Sequence, residues 1–237
     1  MDAITYTVTI VLPYVTLGIF CFGVTYRTIN WLIQPMPIHW ILYPSSPTQV
    51  GGNSGKTLLE ILSFRSIFQG EKKLWITAWL FHLTLAIILL GHVRVFTDFP
   101  QLWSTLGLTE KNVDWLALVV GGSAGIISLV TLSVLLARRL TMPEVKAVSD
   151  IADFLLPTLL LAIVITGDSM RFLTTLQLEE IRRYFVGLVT FSYNAIPQNP
   201  VFLTHFLLVQ LLMICLPFSK IMHFVGLLLN LRTVHGW

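Results

Sequence analysis

Four histidines lie in segments apolar enough to cross a lipid bilayer, and they are the residues of this chain best suited to chemistry. His82 and His92 share one such segment, and His205 and His223 share another. An ionisable side chain at membrane depth is costly, so its presence there indicates a function. Two matched pairs of imidazoles, with almost no acidic residue nearby, predict two buried metal centres. The best candidate is a pair of haems, each bound between two histidines.

The order of the histidines along the chain predicts which of them share a centre. Two spans lie between the two segments, which therefore run antiparallel and place His92 level with His205, and His82 level with His223. The 18 residues from His205 to His223 make five full helical turns, so we expect both imidazoles on one face of a single helix. The axial rise from His82 to His92 is only about 15 Å, whereas the rise from His205 to His223 is about 27 Å. Tilted haem planes or a bend at Pro217 would absorb that difference.

Two other kinds of membrane site also use histidine. A proton relay or transporter normally places carboxylates in the membrane interior as well, and no predicted span carries one near its middle. A metal transporter usually combines histidine with Asp, Glu or Cys ligands. A haem between two neutral imidazoles needs neither, so the haem interpretation is favoured. His39 and His235 lie outside the predicted spans and are expected to be ordinary interfacial residues.

The two cysteines do not provide an attachment site for a cofactor. The sequence has no CxxC motif, which argues against a zinc ribbon or a redox dithiol, and it has no CxxCH motif for covalent haem attachment. Any haem would therefore be bound non-covalently, as haem b. We expect Cys21 and Cys215 to be buried thiols that behave as small apolar residues.

The composition is that of an integral membrane protein. The 237 residues have a mean hydropathy of +0.78, and 11% of them are charged, whereas about a quarter are charged in a soluble domain. Five apolar stretches of about 20 residues predict one all-α domain, a multi-pass bundle in the cell membrane. These stretches are residues 5–29, 74–96, 115–137, 151–170 and 202–229. The net charge of +3 is too small to indicate binding to nucleic acid.

The distribution of basic residues predicts the orientation of the five spans. The larger share of Lys and Arg lies on the side that carries residues 34–73, the turn after the third span and the C-terminal end. The positive-inside rule assigns that side to the cytoplasm. We therefore expect the N-terminus outside and the C-terminus in the cytoplasm.

Two segments between the spans carry further features. Residues 51–57 look like a phosphate-binding loop, but Val50 stands where the motif requires glycine, so we interpret them as a turn. Residues 58–68 have the pattern of a helix that lies on the inner membrane face or under a partner subunit. The outer loop 168–199 is longer than an ordinary connection and is expected to contain a short interfacial helix.

Four motifs between residue 74 and the C-terminus form a specific set. They are Phe81-His82-x9-His92 with Gly91 before the second histidine, Gly121-Gly122-Ser123-Ala124-Gly125, Arg138-Arg139-Leu140, and Pro217-Phe218-Ser219-Lys220-Ile221-Met222-His223. Together they resemble the gamma subunit of respiratory nitrate reductase, a five-helix cytochrome b with two haems. Residues 62–67 and 72–75 look more like the branch that serves sulfur metabolism. That branch includes membrane subunits of the dissimilatory-sulfite-reduction-associated complex and of heterodisulfide reductase.

The resemblance implies a function as well as a fold. In this family His92 and His205 would bind the outer haem, and His82 and His223 the inner haem. Menaquinol would be oxidised near the outer haem and release its protons outside. Electrons would pass through both haems to a cytoplasmic iron–sulfur subunit of heterodisulfide reductase type, in anaerobic respiration. Further membrane or outer-face subunits of the same complex are expected.

Basic residues near each pair of histidines are candidates for offsetting the charge of haem propionates. On the inner side these are Arg138, Arg139 and Lys220. On the outer side Arg94 is the corresponding candidate. A snorkelling role, with the charged group reaching the membrane surface, explains them nearly as well.

The expected quinol site consists of Gly91, Asp98 and Lys111. Glycine beside His92 leaves room for a ring to approach, because it has no side chain. A lysine of the family falls at Val113 on an ungapped alignment, and Lys111, two residues away, is expected to replace it. A cation there would stabilise negative charge that develops on the reacting quinol. Asp98 is the other nearby charged group on the outer side.

Three alternative functions are compatible with the same features. The chain could be a nitrate reductase gamma subunit that supplies a molybdenum enzyme, or a structural membrane anchor poor in haem. It could also work in reverse, as a quinone reductase, because the direction depends on the potentials of its partners. A reduced-minus-oxidised spectrum distinguishes the anchor, and the proteins that copurify with the chain distinguish the electron acceptors.

Overall fold

A computed structural model describes residues 2–33, 59, 62–174, 176–193 and 196–226. Within these ranges the secondary structure is helical and contains no strand. Five helices are long and apolar enough to cross a membrane, and we number them span one to span five: Ala3–Ile33, Lys72–Val95, Glu110–Thr141, Ala152–Leu173 and Pro200–Phe218. The prediction of an all-α protein with five membrane spans is confirmed, and the chain is a multi-pass membrane protein.

Spans three and four are longer than predicted. Span three begins at Glu110, because the Thr109 hydroxyl caps it by accepting the amide of Asn112 at 3.4 Å. It continues to Thr141, since its polar ends stay helical beyond the apolar centre. Span four extends to Leu173, so the outer loop begins at residue 174 and not at 168.

Span five differs most from the prediction of one bent helix over 202–229. Its α-helix covers Pro200–Cys215 and is followed by two 3-10 turns, Leu216–Phe218 and Lys220–Met222. The helix ends here and does not merely bend, because Pro217 has no amide hydrogen to donate and its ring clashes with the carbonyl four residues earlier. The prediction that His205 and His223 leave one face of a continuous helix is therefore wrong.

The spans pack in an order that leaves the histidine-bearing helices facing each other. Spans two, three, four and five are neighbours in chain order, and span one lies against span five. Spans two and one are thus the two ends of the series, and the rings of His92 and His205 lie opposite each other between spans two and five. Glycines allow span four to lie close to span three: a Cβ atom on Gly125 would overlap Oδ1 of Asp168, and one on Gly121 would lie 2.9 Å from Nη2 of Arg171.

The outer loop contains the predicted short helix, which covers Leu178–Thr190 and which we call the outer helix. Its Tyr184 is buried against Phe202 and Phe206 of span five. The Tyr184 hydroxyl donates to the carbonyl of Thr9 at 2.6 Å, where span one forms a turn of π-helix. Tyr14 donates in return to the carbonyl of Leu188. The outer helix is therefore fastened to spans one and five.

Both cysteines are exposed, so the prediction that they are buried is wrong. Cys21 and Cys215 lie on faces of spans one and five that no helix in the described part of the chain covers. In a membrane, lipid hydrocarbon covers such faces, and an apolar thiol needs no burial inside the protein.

Several predictions about the inner side concern residues outside the described ranges. They include the loop-like residues 51–57, residues 58, 60 and 61 of the predicted helix 58–68, and the histidines at 39 and 235. The described part shows a short helix, Arg65–Gly70, that follows Phe64 with a left-handed φ of 51°. The indole groups of Trp75 and Trp79 donate to the carbonyls of Ser63 and Leu62 at 2.7 and 3.1 Å. These bonds attach the residues just before the short helix to span two.

The orientation of the bundle stays a prediction, which reporter fusions test. We expect a reporter fused after Trp237 to be active in the cytoplasm and one inserted between Asp98 and Glu110 to be active outside. The measurement is the paired activity of alkaline phosphatase and a fluorescent protein at both positions. The reverse pattern would place the expected quinol site on the cytoplasmic side.

Candidate functional site

The inner pair of histidines joins span two to the turns after span five. The imidazole rings of His82 and His223 have centroids 6.1 Å apart and lie nearly perpendicular, at 83°. Phe64 and Phe81 contact the His82 ring edge-on, at 5.0 and 5.1 Å. His82 is half-buried and His223 is exposed. The break at Pro217 brings His223 back to the level of His82, which a continuous helix with its longer rise would not do.

The outer pair joins spans two and five directly. The rings of His92 and His205 have centroids 6.5 Å apart and are nearly parallel, at 14°. His205 is buried and His92 is exposed. The structure thus brings together the two members of each pair that the antiparallel order of the spans predicts.

All four imidazoles have the hydrogen bonding expected of a metal ligand. Nδ1 of His82 and of His92 lies 2.7 Å from the carbonyl of the residue four positions earlier in span two. Nδ1 of His205 lies 3.1 Å from the carbonyl of Ile163, and Nδ1 of His223 lies 3.1 Å from that of Lys220. A carbonyl can only accept, so Nδ1 carries the proton and Nε2 keeps its lone pair for a metal.

The separation within each pair suits one iron bound between two imidazoles. A bond from a metal to histidine nitrogen is about 2 Å, and the ring centre lies roughly 1 Å beyond that nitrogen, so two axial rings are expected about 6 Å apart. The observed 6.1 and 6.5 Å agree with this value. Among the described residues no group of three or more His, Cys, Asp or Glu could hold a metal ion.

Span four supports His205 through two residues that the sequence analysis missed. The hydroxyl of Thr166 lies 2.9 Å from Nδ1 of His205, and it can accept the Nδ1 hydrogen together with the carbonyl of Ile163. A Cβ atom on Gly167 would lie 3.2 Å from Cε1 of the same ring. The sequence carries no signal for either role, because neither residue lies close to a histidine along the chain.

The sequence of the chain matches a known protein family over most of its length. Residues 59–231 match the nitrate reductase gamma subunit family. The chain belongs to this family. The prediction made from the two histidine spacings and the Pro-Phe-Ser-Lys motif is confirmed.

Two relatives of this chain carry the name Hdr-like menaquinol oxidoreductase cytochrome b-like subunit. The protein from Archaeoglobus fulgidus is 29% identical and aligns with 92% of this chain and 76% of its own length. The protein from Archaeoglobus profundus is 26% identical, over 91% of this chain and 74% of its own. The nitrate reductase gamma chain of Bacillus subtilis is 28% identical and aligns with 69% of this chain and 77% of its own length. The Archaeoglobus names agree with the predicted resemblance to the heterodisulfide reductase branch of the nitrate reductase gamma family.

The inner basic residues of this family member are already paired with carboxylates of the chain. The ion pairs are Arg138–Glu71 at 2.7 Å, Arg139–Asp153 at 3.4 Å, Lys220–Asp153 at 2.6 Å and Lys220–Asp150 at 2.9 Å. The hydrogen bond from Lys220 holds the pKa of Asp150 below its usual value. A haem propionate would therefore share these cations with the carboxylates, and the ion pairs themselves join spans two, three, four and five at the inner surface.

The outer charged residues form one network around Asp98. Arg94 donates from Nε to Oδ1 of Asp98 at 2.7 Å and also contacts Asp114 at 3.0 Å. Arg182 of the outer helix contacts Oδ2 of Asp98 at 2.9 Å and donates twice to the carbonyl of Arg94. The hydrogen bond from Arg94 lowers the pKa of Asp98 below its usual value. Both oxygens of Asp98 thus join span two to the outer helix.

The other two residues of the expected quinol site are accessible. A Cβ atom on Gly91 would meet no atom within 4 Å, so the surface beside His92 is open on that side. Lys111 is exposed, and among the described residues it forms no ion pair. Val113, where the alignment places the family lysine, is only 5% exposed. A lysine at 113 would point into the bundle, whereas Lys111 points out of it.

A carboxylate in the outer half of span four was given no role in the sequence analysis. Asp168 lies against the glycine stripe of span three, and its Oδ2 atom is buried without a hydrogen-bond partner among the described residues. Arg171, one turn later, donates to the carbonyl of Ala117 at 2.5 Å. The signal for this contact is the run of glycines at 121, 122 and 125, which leaves space for long polar side chains.

Proposed function

We propose that this chain is the di-haem cytochrome b subunit of a membrane-bound menaquinol oxidoreductase. In this proposal His92 and His205 bind the outer haem, and His82 and His223 bind the inner haem. Menaquinol is oxidised near the outer pair, and a cytoplasmic iron–sulfur subunit of heterodisulfide reductase type accepts the electrons. The names of the two Archaeoglobus relatives support both the quinol and the class of partner.

One observation carries the haem assignment. Each of the four imidazoles directs Nδ1 at a backbone carbonyl, and the rings of each pair are separated by the distance that a shared iron requires. A haem held by each pair of imidazoles would supply a one-electron carrier. The two pairs lie at opposite membrane levels, so together they connect the two faces of the bilayer.

The residues of the chain determine how a quinol reaches the outer pair. The open surface at Gly91 admits a ring to the exposed edge of His92. Lys111, at the outer start of span three, is a cation without a carboxylate partner among the described residues. It is therefore available to donate to a quinol oxygen and to stabilise the negative charge that develops there. Asp98 forms ion pairs with Arg94 and Arg182, and we assign it a structural role that connects span two to the outer helix.

Replacing Lys111 by alanine tests this assignment. We expect the rate of haem reduction by a menaquinol analogue to fall by about tenfold, less than for a fully buried donor, because Lys111 is exposed. The haem spectrum should not change. The measurement is stopped-flow reduction of the haem across a range of quinol concentrations.

The matched control is Lys146→Ala. Lys146 is also an exposed lysine, but it lies in the short helix Pro143–Ala147 on the opposite membrane face. Its loss should leave the reduction rate unchanged. Equal rates for Lys111→Ala and the unaltered protein would move the quinol site elsewhere while leaving the haem assignment intact.

Two measurements separate the proposal from its alternatives. A reduced-minus-oxidised spectrum without haem b bands would identify a structural anchor. The similarity to the Bacillus subtilis gamma chain supports the second candidate, a subunit that supplies a molybdenum enzyme. Copurification with a molybdenum subunit in place of an iron–sulfur subunit would favour that candidate.

A further inference from the structure

Span one forms hydrogen bonds with the segment that follows the break at Pro217. Beyond the end of the α-helix at Cys215 the chain continues in two 3-10 turns, where carbonyl groups no longer have the regular amide partners of an α-helix and can accept from other donors. Here the carbonyls of Pro217 and Ser219 both accept from one guanidinium nitrogen, Nη1 of Arg27, at 2.7 and 2.8 Å. Arg27 comes from span one, 190 residues earlier in the chain.

Two more residues on the same face of span one contact this segment. Gly23, Arg27 and Trp31 are spaced four residues apart, so they form one stripe along the helix. A Cβ atom on Gly23 would lie 2.7 Å from Cβ of Pro217, so only glycine permits this approach. Trp31 lies against Gly226, where an added Cβ would be 3.7 Å from its ring. The Arg27 guanidinium also lies over the Trp31 ring, at 4.9 Å.

The segment between these contacts carries His223. Nδ1 of His223 donates to the carbonyl of Lys220 at 3.1 Å. The Ser219 hydroxyl caps the turn before it by accepting from the amide of Ile221 at 3.2 Å. The Lys220 side chain is in turn bound by Asp153 of span four. The direction of the His223 ring therefore depends on where the turn at 219–222 is held, and Arg27 holds its first residue.

We propose that span one positions the inner histidine, and that Arg27 is its principal positioning residue. Arg27 donates to the carbonyls of Pro217 and Ser219 in the turns beyond the helix, Gly23 allows the approach, and Trp31 orients the guanidinium. The family match begins at residue 59, so this role belongs to a part of the chain outside it. The inference rests on the proposed function in one respect, since its clearest readout is the haem between His82 and His223.

Replacing Arg27 by methionine, which keeps the length of the side chain but removes the donors, tests the proposal. We expect the low-spin electron paramagnetic resonance signal of the inner haem to shift or be lost, while the outer signal keeps its position and amplitude. Arg27→Lys should restore most of the inner signal, because a lysine can still donate to one carbonyl. Gly23→Ala should alter the same signal by pushing Pro217 away. Tyr26→Leu, on the exposed face of the same helix, is the matched control and should change neither signal.

A second readout does not depend on haem. In haem-depleted protein, trypsin should cleave after Lys220 faster in Arg27→Met than in the unaltered protein, Arg27→Lys or Tyr26→Leu. An unchanged inner signal together with unchanged cleavage in Arg27→Met would overturn the positioning role, and so would an equal loss of both haem signals. If the unaltered protein contains no signal that His223→Ala removes, the proposed function fails, and the cleavage rates alone then decide the role of Arg27.

Discussion

Replacing either histidine of one pair by alanine should remove one haem and leave the other. His82→Ala and His223→Ala should lose the inner haem, and His92→Ala and His205→Ala the outer haem, because each iron depends on both of its axial imidazoles. The unaltered protein should contain two haems b, extracted by acidic acetone since no cysteine motif attaches them covalently. The measurements are the pyridine haemochrome content and the low-temperature spectrum of each variant.

The matched controls are the histidines outside the spans. His39→Ala and His235→Ala should leave both haems in place. Each substitution should affect one haem only, because the ring centroids within a pair lie 6.1 or 6.5 Å apart and each pair joins its own two helical segments. A single substitution that removed both haems equally, or one that removed neither, would contradict the pairing.

Replacing Gly167 by leucine should remove the outer haem without any change to a ligand. A Cβ atom at this position would lie 3.2 Å from Cε1 and 3.7 Å from Nδ1 of His205, and the remaining atoms of leucine would occupy the position of the ring. His205 is buried, so its ring has little room to move aside without losing its partner His92. We expect the outer haem content to fall several-fold while the inner haem content stays the same.

Gly18→Leu is the control for this prediction. Gly18 also lies inside a membrane span, but a Cβ atom there would meet no atom within 4 Å. Both substitutions favour a helix by a similar amount, so a difference between them reports the contact with His205 and not helix stability. Gly167→Ala should give an intermediate loss, because its single added atom is tight but not overlapping. Retention of the full outer signal in Gly167→Leu would show that the ring can be accommodated elsewhere.

The pairing of the histidines could be predicted because it depends only on the direction of the helices. Spans two and five are three places apart in a series that alternates in direction, so they are antiparallel whatever their tilt, and antiparallel order decides that His92 meets His205. The support of those histidines could not be predicted in the same way. Thr166 and Gly167 lie on span four, far from either partner in sequence, and only the packing of spans four and five makes them neighbours of His205.

The geometry near Pro217 shows where sequence reasoning was insufficient. A proline inside an apolar segment indicates a disturbed helix, but it does not decide between a bend and an end. The outcome depends on whether another part of the protein can hold the turns that follow the helix, and here Arg27 of span one does so through the carbonyls of Pro217 and Ser219. The end of the helix removes the conflict between rises of about 15 and 27 Å that the sequence presents, because His223 no longer lies on the helix that carries His205.

The amino-acid sequence by itself determined the class of the protein, the number of spans, the four histidines and their partners. These properties follow from hydropathy, from the cost of an ionisable group in lipid and from the alternation of helix direction, all of which act locally along the chain. The tertiary structure alone decided the path of span five, the role of span one and the contact of Asp98 with Arg182 of the outer helix. Each of these depends on groups that become neighbours only when separate helices pack, since hydrogen bonds and glycine contacts between helices have no fixed spacing in sequence.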